Sequence, residues 1–166
     1  QDENHYGWLG TRTGITRFDG ITFKNYSYED GLDTLSVRVL FRDNRNQIWL
    51  GHEGGGLTRY DQHVFEKINL PDSVIHSNIT SIVQDYENQL WITTINNGAV
   101  RIKNPEAPVI ALKYEHFLKG KKLGDQVFSC LVTADSSVYF VVLAGIKKYN
   151  PKTNDFDPFG PDGFFR

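Results

Sequence analysis

Residues 36–65 read SVRVLFRDNRNQIWLGHEGGGLTRYDQHVF, and this stretch decides the fold. It opens with a short run rich in Val, Leu and Phe, which ends in RDNRNQ. Asp and Asn bond their own nearby backbone and tolerate left-handed dihedrals, so a tight turn is expected there. A second apolar run carries Trp49, a glycine-rich connection follows, and two more runs contain Tyr60 and Phe65. The unit parses as four strands, roughly 35–42, 47–52, 56–61 and 64–70, with the short loops of consecutive antiparallel hairpins. No window of about 11 residues or more holds a helical apolar stripe.

The unit recurs along the chain. Its copies read GWLGTRTGITRFDGITF from Gly7 and LWITTINNGAVRIKNP from Leu90, with a worn copy, VYFVVLAGIKKYNPKTNDF, from Val138. The anchors Trp8, Trp49, Trp91 and Tyr139 lie 41, 42 and 48 residues apart. Six or seven positions after each anchor stands Gly14, Gly56, Gly98 or Gly145, and three further on stands Arg17, Arg59, Arg101 or Lys148. Six positions before the tryptophans stand Asp2, Asp43 and Asp85, with Thr133 in the worn copy. Three positions before the anchors stand His5, Asn46, Asn88 and Ser136, which extends the turn signature.

A four-stranded antiparallel sheet repeated every ~42 residues is a β-propeller blade, because each small sheet has two apolar faces that only neighbouring sheets can cover. One tryptophan per unit suits a wedge between blades, with about 150–250 Å² to bury. The fold expected is therefore all-β: one propeller segment over 1–166, in units of about 2–34 (lacking its first strand), 35–76, 77–124 and 125–166, or about fifteen strands. Propellers close with about 4 to 8 blades. An open arc is accordingly expected, and a closed four-bladed ring is the alternative, needing its missing strand from elsewhere. An arc leaves the outer faces of its end sheets bare, to be covered by remaining propeller blades or by a second subunit.

Composition narrows the function classes. With 18 basic and 20 acidic residues the chain is nearly neutral and carries no basic stripe, which argues against nucleic-acid binding. No apolar run approaches the ~20 residues of a membrane helix, so this segment is expected to make no membrane contact. The single cysteine, Cys130, excludes an internal disulfide, and its apolar strand slot, equivalent to that of Ile82, suits a buried inert thiol. No methionine occurs, position 1 included, so a processed product or a piece of a longer chain is expected.

The stretches SVRVLFRDNRNQIWLGHEGGGLTRYDQHVF and ITSIVQDYENQLWITTINNGAVRI resemble the two-component regulator propeller repeat, strongly over residues 2–104 and weakly from 105 onward. The third unit departs from the pattern with Thr93 where glycine is usual, and the fourth loses its tryptophan. An insertion of about six residues lies within NPEAPVIALKYEHFLKGKKLGDQ. The resemblance implies an arc of a seven-bladed propeller in the periplasmic sensor region of a hybrid two-component histidine kinase. It also implies an oligosaccharide ligand and control of polysaccharide-utilisation genes, with no cofactor and no enzyme activity in this segment.

No catalytic constellation stands out. His52-Glu53 lacks the second histidine of a zinc-binding helix, and the five histidines have no metal-ligand spacing. The recurrent Arg17, Arg59, Arg101 and Lys148 are expected to bond between strands and to the turn aspartates, since a single asymmetric ligand rarely needs the same residue from every repeat. Ligand contacts are expected where the units differ, in loops gathered at one end. The candidates are Arg12, His52, Glu53, Asn96, Asn97 and His76, with Tyr28, Asp30 and Lys121 behind them. A propeller enzyme would need acid and base groups at the central opening, where Arg38, Thr80 and Phe128 are expected and make a poor set.

Overall fold

The structure is a computed structural model and describes residues 1–70, 76–117 and 123–160. Within them, fifteen strands form four antiparallel sheets in chain order. The first sheet holds β1 (Gly7–Thr11), β2 (Gly14–Phe18) and β3 (Phe23–Tyr26). The second holds β4 (Val37–Arg42), β5 (Ile48–His52), β6 (Leu57–Tyr60) and β7 (Phe65–Lys67). The third holds β8 (Ile79–Gln84), β9 (Leu90–Thr94), β10 (Ala99–Ile102) and β11 (Tyr114–Phe117). The fourth holds β12 (Val127–Val132), β13 (Val138–Val142), β14 (Gly145–Asn150) and β15 (Asp155–Phe159). The innermost strands β1, β4, β8 and β12 stand side by side in that order and form an open arc. A closed four-bladed ring is thereby set aside.

The repeat residues build each turn and the seam beyond it. In the second unit Asp43 Oδ2 accepts the indole N–H of Trp49 at 2.9 Å, while its Oδ1 accepts the backbone N–H groups of Arg45 and Gln47, both at 2.9 Å. Asp2 and Asp85 hold Trp8 and Trp91 in the same way, each at 2.8 Å. His5, Asn46, Asn88 and Ser136 close the four turns with φ between 62° and 68°. The recurrent glycines take positive φ as well, and a Cβ at Gly14 or Gly98 would run into the carbonyl oxygen of Tyr26 or Phe117.

Each tryptophan wedges into the following sheet. Trp91 is fully buried, with Phe140, Tyr149 and Phe156 of the fourth sheet packed against its ring at centroid separations of 5.3, 4.8 and 6.4 Å. Trp49 is buried with Ile79, Ile82 and Ile92 of the third sheet. Trp8, half-buried, meets Tyr60 of the second at 5.1 Å. Burying one such ring contributes about 4–6 kcal/mol at roughly 25 cal/mol per Å².

The basic residue of each unit sits directly opposite the anchor in the strand register and over its ring. Its polar partners differ from the expectation in one respect. Arg59 pairs with Glu66 on β7 at 2.6 Å, and Arg101 pairs with Glu115 on β11 at 2.6 Å. The turn aspartates take no part in these pairs, because their oxygens are already occupied by the indole and the turn amides. Both arginines also reach the next unit: Arg59 Nη1 donates to the carbonyls of Pro105 and Ala107 at 2.8 and 2.7 Å, and Arg101 Nη1 donates to the Tyr149 hydroxyl at 2.6 Å. Burial alone would raise the Glu115 pKa, but hydrogen bonds from Asn154, Arg101 and Lys103 outweigh it and hold the carboxyl at about 2.

Where β4, β8 and β12 begin, each carries a register shift that leaves Arg38, Thr80 or Phe128 bulged. Bulges re-aim side chains at barrel rims. Arg38 and Phe128 are exposed, whereas the Thr80 hydroxyl donates to the carbonyl of Val127 on the next inner strand at 2.7 Å. The three therefore supply no acid and base pair to the centre of the arc.

Candidate functional site

The connection after each tryptophan strand and the connection into the next unit meet at one end of the arc. Glu53 N–H donates to the Ser36 carbonyl at 2.9 Å, Ile95 N–H to the Asn78 carbonyl at 3.1 Å and Gly98 N–H to the Asp125 carbonyl at 2.8 Å. Side chains tie the same loops: Gly54 N–H donates to Asn78 Oδ1 at 2.5 Å, and Asn96 N–H to Ser77 Oγ at 3.0 Å. The loop end is thus a hydrogen-bonded surface whose units differ in sequence.

The candidate side chains divide on this surface. Arg12, Glu53, Asn96 and His76 are exposed, and Glu53 Oε2 accepts the Ser36 hydroxyl at 2.8 Å. Asn97 is half-buried and works through its backbone, donating to Thr94 Oγ1 at 2.9 Å and accepting from His116 Nε2 at 2.8 Å. Asp30 closes its own short turn by accepting the Ser27 N–H at 2.8 Å, and Tyr28 beside it is exposed. Lys121 lies outside the described residues.

His52 is out of reach of a ligand in solution. It is the last residue of β5, whose five residues are all buried, and it is itself fully buried, with Nε2 2.8 Å from the Thr58 hydroxyl. Burial pushes its pKa below 6.5, and the Asp33 charge and the Ser36 backbone bond only partly oppose this. The unfolded chain therefore takes up a proton near pH 6.5 that the folded chain refuses. Stability is fully present above that pH and declines as the pH falls toward the folded pKa, by up to about 1.4 kcal/mol per pH unit. Urea unfolding of the parent and of His52→Gln between about pH 7.5 and about pH 5.5 checks this; a parent slope as flat as that of the variant refutes it.

Two clefts open at the loop end. One, of about 350 Å³, lies between Gly54–Gly56, Asp33, Lys67 and His76. Its carboxylate is neutralised, since Lys67 Nζ stands 2.6 Å from Asp33. The other, of about 580 Å³, lies between the third and fourth sheets and is lined by Asn96, Asp125, Gln126, Leu143 and Lys147 among others. Of the exposed candidates, Asn96 belongs to this cleft, His76 to the first, and Arg12 and Glu53 to neither. Sequence reading missed Asp125 and Gln126. Their signal was available, since both stand directly before the fourth unit's first strand, in one of the inter-unit connections whose sequences differ.

Among the described residues no three His, Cys, Asp or Glu side chains converge as a metal site, and no helix is long and apolar enough to cross a membrane. Burial pushes the Cys130 thiol up to about 12, so it is no nucleophile.

The chain superposes on the extracellular domain of BT4673 from B. thetaiotaomicron, a protein assigned to the hybrid two component systems, with a TM-score of 0.78 and 19% identity. That match covers 100% of this chain and 25% of the other. The corresponding domain of BT3049 from the same organism gives 0.76 and 18%, covering 99% of this chain and 24% of that one. Virginiamycin B lyase from Staphylococcus aureus gives 0.71 and 14%, covering 98% and 54%. The chain thus spans about a quarter of the length of the first two, and at these identities the likeness is one of fold. No curated protein matches the chain. Residues 73–96, most of them in the third unit, match the two component regulator propeller family. This stretch thus matches a two component regulator propeller repeat, and the Asp, Trp, Gly and Arg positions of its unit recur in the first two sheets.

Proposed function

We propose that the chain is a ligand-receiving part of the extracytoplasmic sensor of a hybrid two-component regulator, and that its ligand is an oligosaccharide held at the loop end. The observation that carries this reading is the match of residues 73–96 to the two component regulator propeller family. The loop end supports it, with amides and carboxylates beside apolar surface around clefts that differ from unit to unit. The segment itself is non-catalytic. A bound sugar would act by preferring one arrangement of sensor chains over another, since a ligand shifts an equilibrium only by its differential affinity. An open arc supplies one side of a ring site, so NMR titration of the chain with an oligosaccharide panel should show millimolar binding, with shifts confined to the loop end. Shifts mapping to the opposite, Asp-turn end, or none at saturating sugar, refute the reading.

A second reading has its own observation. The outward face of the first sheet exposes Leu9 and Phe23, and that of the fourth exposes Leu131 and Phe159. These are the faces that neighbouring sheets cover elsewhere in the arc, which favours a scaffold mating with further blades or with another subunit. Light scattering distinguishes the two, because the scaffold demands a stable oligomer at micromolar concentration without sugar.

A further inference from the structure

Each seam inside the arc joins two unlike faces. One face presents the anchor ring of its sheet, and the face opposite receives it. Between the third and fourth sheets, Trp91 is received by Phe140, Tyr149 and Phe156. Counted along the strand registers, their equivalents in the first sheet are Leu9, Phe18 and Phe23, with Phe18 opposite Phe23 as Tyr149 is opposite Phe156. The Phe18 and Phe23 rings stack at 4.4 Å, and Leu9 and Phe23 are exposed. The first sheet thus ends the arc in a receiving face that meets no anchor ring.

The fourth sheet ends it in the presenting face. Its half-buried anchor, Tyr139, has Lys148 over its ring at 5.5 Å and the Phe159 ring against it at 4.7 Å, with Leu131 directly opposite in the register. Leu131, Val141 and Phe159 are exposed around it, an apolar surface of the kind that marks an interaction site.

Charge and shape match these two ends to each other. Arg59 and Arg101 reach the loop joining the last two strands of the following sheet, at Pro105 and Ala107 and at Asn154. In the first sheet that loop carries Asp19, whose exposed carboxylate caps the turn and is opposite in charge to Lys148. Val141 stands two residues after its anchor, in the slot of Gly10 and Gly51, where a Cβ would collide with Val37 or Ile79 of the following inner strand. Thr93 is admitted at this slot through the Thr80 hydroxyl, a contact that valine cannot make. Among the described residues the first sheet is three-stranded and has no strand inside β1, so Val141 meets no such obstacle there.

We infer that the two end faces are halves of one seam and that a second copy of this chain fills both, the Tyr139 ring of each copy seating on Leu9, Phe18 and Phe23 of the other. Two copies joined head to tail at both ends close a two-fold ring of eight sheets, within the range of about 4 to 8 over which propellers close. This rests on the scaffold reading above and adds the partner and the faces that mate.

The test is sedimentation velocity of the chain, of Phe23→Glu, of Leu131→Glu and of the two variants mixed, between about 1 and about 100 micromolar. The parent is expected to sediment as a dimer and each variant as a monomer, with association weakened about tenfold or more. The mixture is expected to regain a dimer, because Phe23→Glu keeps an intact presenting face and Leu131→Glu an intact receiving face. Phe23 is 63% exposed and Leu131 46%, so both variants should melt as cooperatively as the dissociated parent, which separates lost assembly from lost folding. Leu9→Glu and Phe159→Glu serve as a second pair. An oligomer that either variant keeps, a mixture that stays monomeric, or a parent that grows past two copies overturns the inference and leaves the scaffold reading standing. A parent that is monomeric throughout overturns both.

Discussion

Replacing Asp43 with alanine should destabilise the fold by about 3–4 kcal/mol, more than most surface turns could cost. The carboxylate is buried and holds the Trp49 indole, two turn amides and the Gln47 side chain, the last at 3.0 Å. Alanine leaves the indole N–H and those amides without acceptors at the edge of the core between the second and third sheets, and each orphaned buried group costs about 1–3 kcal/mol. The sum is less than additive because the turn can open to water. Asp43→Asn should lose about 2 kcal/mol: it keeps an acceptor for the turn amides but offers an NH₂ donor, or a single shared oxygen, to the indole. A double-mutant cycle with Trp49→Phe isolates the indole bond, with a coupling of about 1–2 kcal/mol expected. Chemical unfolding with an unchanged m-value measures all of these. A loss under about 1 kcal/mol for Asp43→Ala would show that the Asp and Trp recurrence is not what fixes the turn.

That recurrence is also why so much of the fold was legible before any coordinates. Period, strand order and open arc follow from the Trp, Gly and Asp spacings, because those positions are dictated by main-chain geometry: a left-handed turn residue, a glycine against a carbonyl, an indole six residues from its acceptor. The partners of Arg59 and Arg101 were legible only in part. Glu66 and Glu115 are found by strand register, which can be counted, but the Pro105 and Ala107 carbonyls are reached across an inter-sheet gap whose width no spacing reveals. The ligand face was legible as a set of loops but not residue by residue. His52 stands at the end of the expected strand 47–52, but that both faces of this strand are covered as far as its last residue is shown only by the packing of the neighbouring sheets.

Replacing Gly51 with alanine should destabilise by about 3 kcal/mol, at the upper end of what overpacking costs. Gly51 lies on β5 where the inner strand of the next sheet comes closest: a Cβ there would stand 2.5 Å from Ile79 Cγ2 and 2.9 Å from Ile79 Cβ. Ile79 is fully buried and held by the β8–β9 ladder, so neither residue can yield without parting two sheets. Gly10 meets Val37 in the same way, at 2.7 Å from Val37 Cγ1. The third unit takes another course, with Thr93 at this position and its hydroxyl 2.8 Å from that of Thr80, which in turn bonds the Val127 carbonyl. A side chain is admitted there through a polar contact between inner strands, which the Gly51 seam lacks. If close approach is what Gly51 provides, shortening the opposing residue should relieve the strain. Gly51→Ala combined with Ile79→Ala should then lose about 1–2 kcal/mol less than the two single losses added. Strict additivity, or a Gly51→Ala protein as stable as its parent, would mean that the sheets do not pack at the spacing the structure gives them.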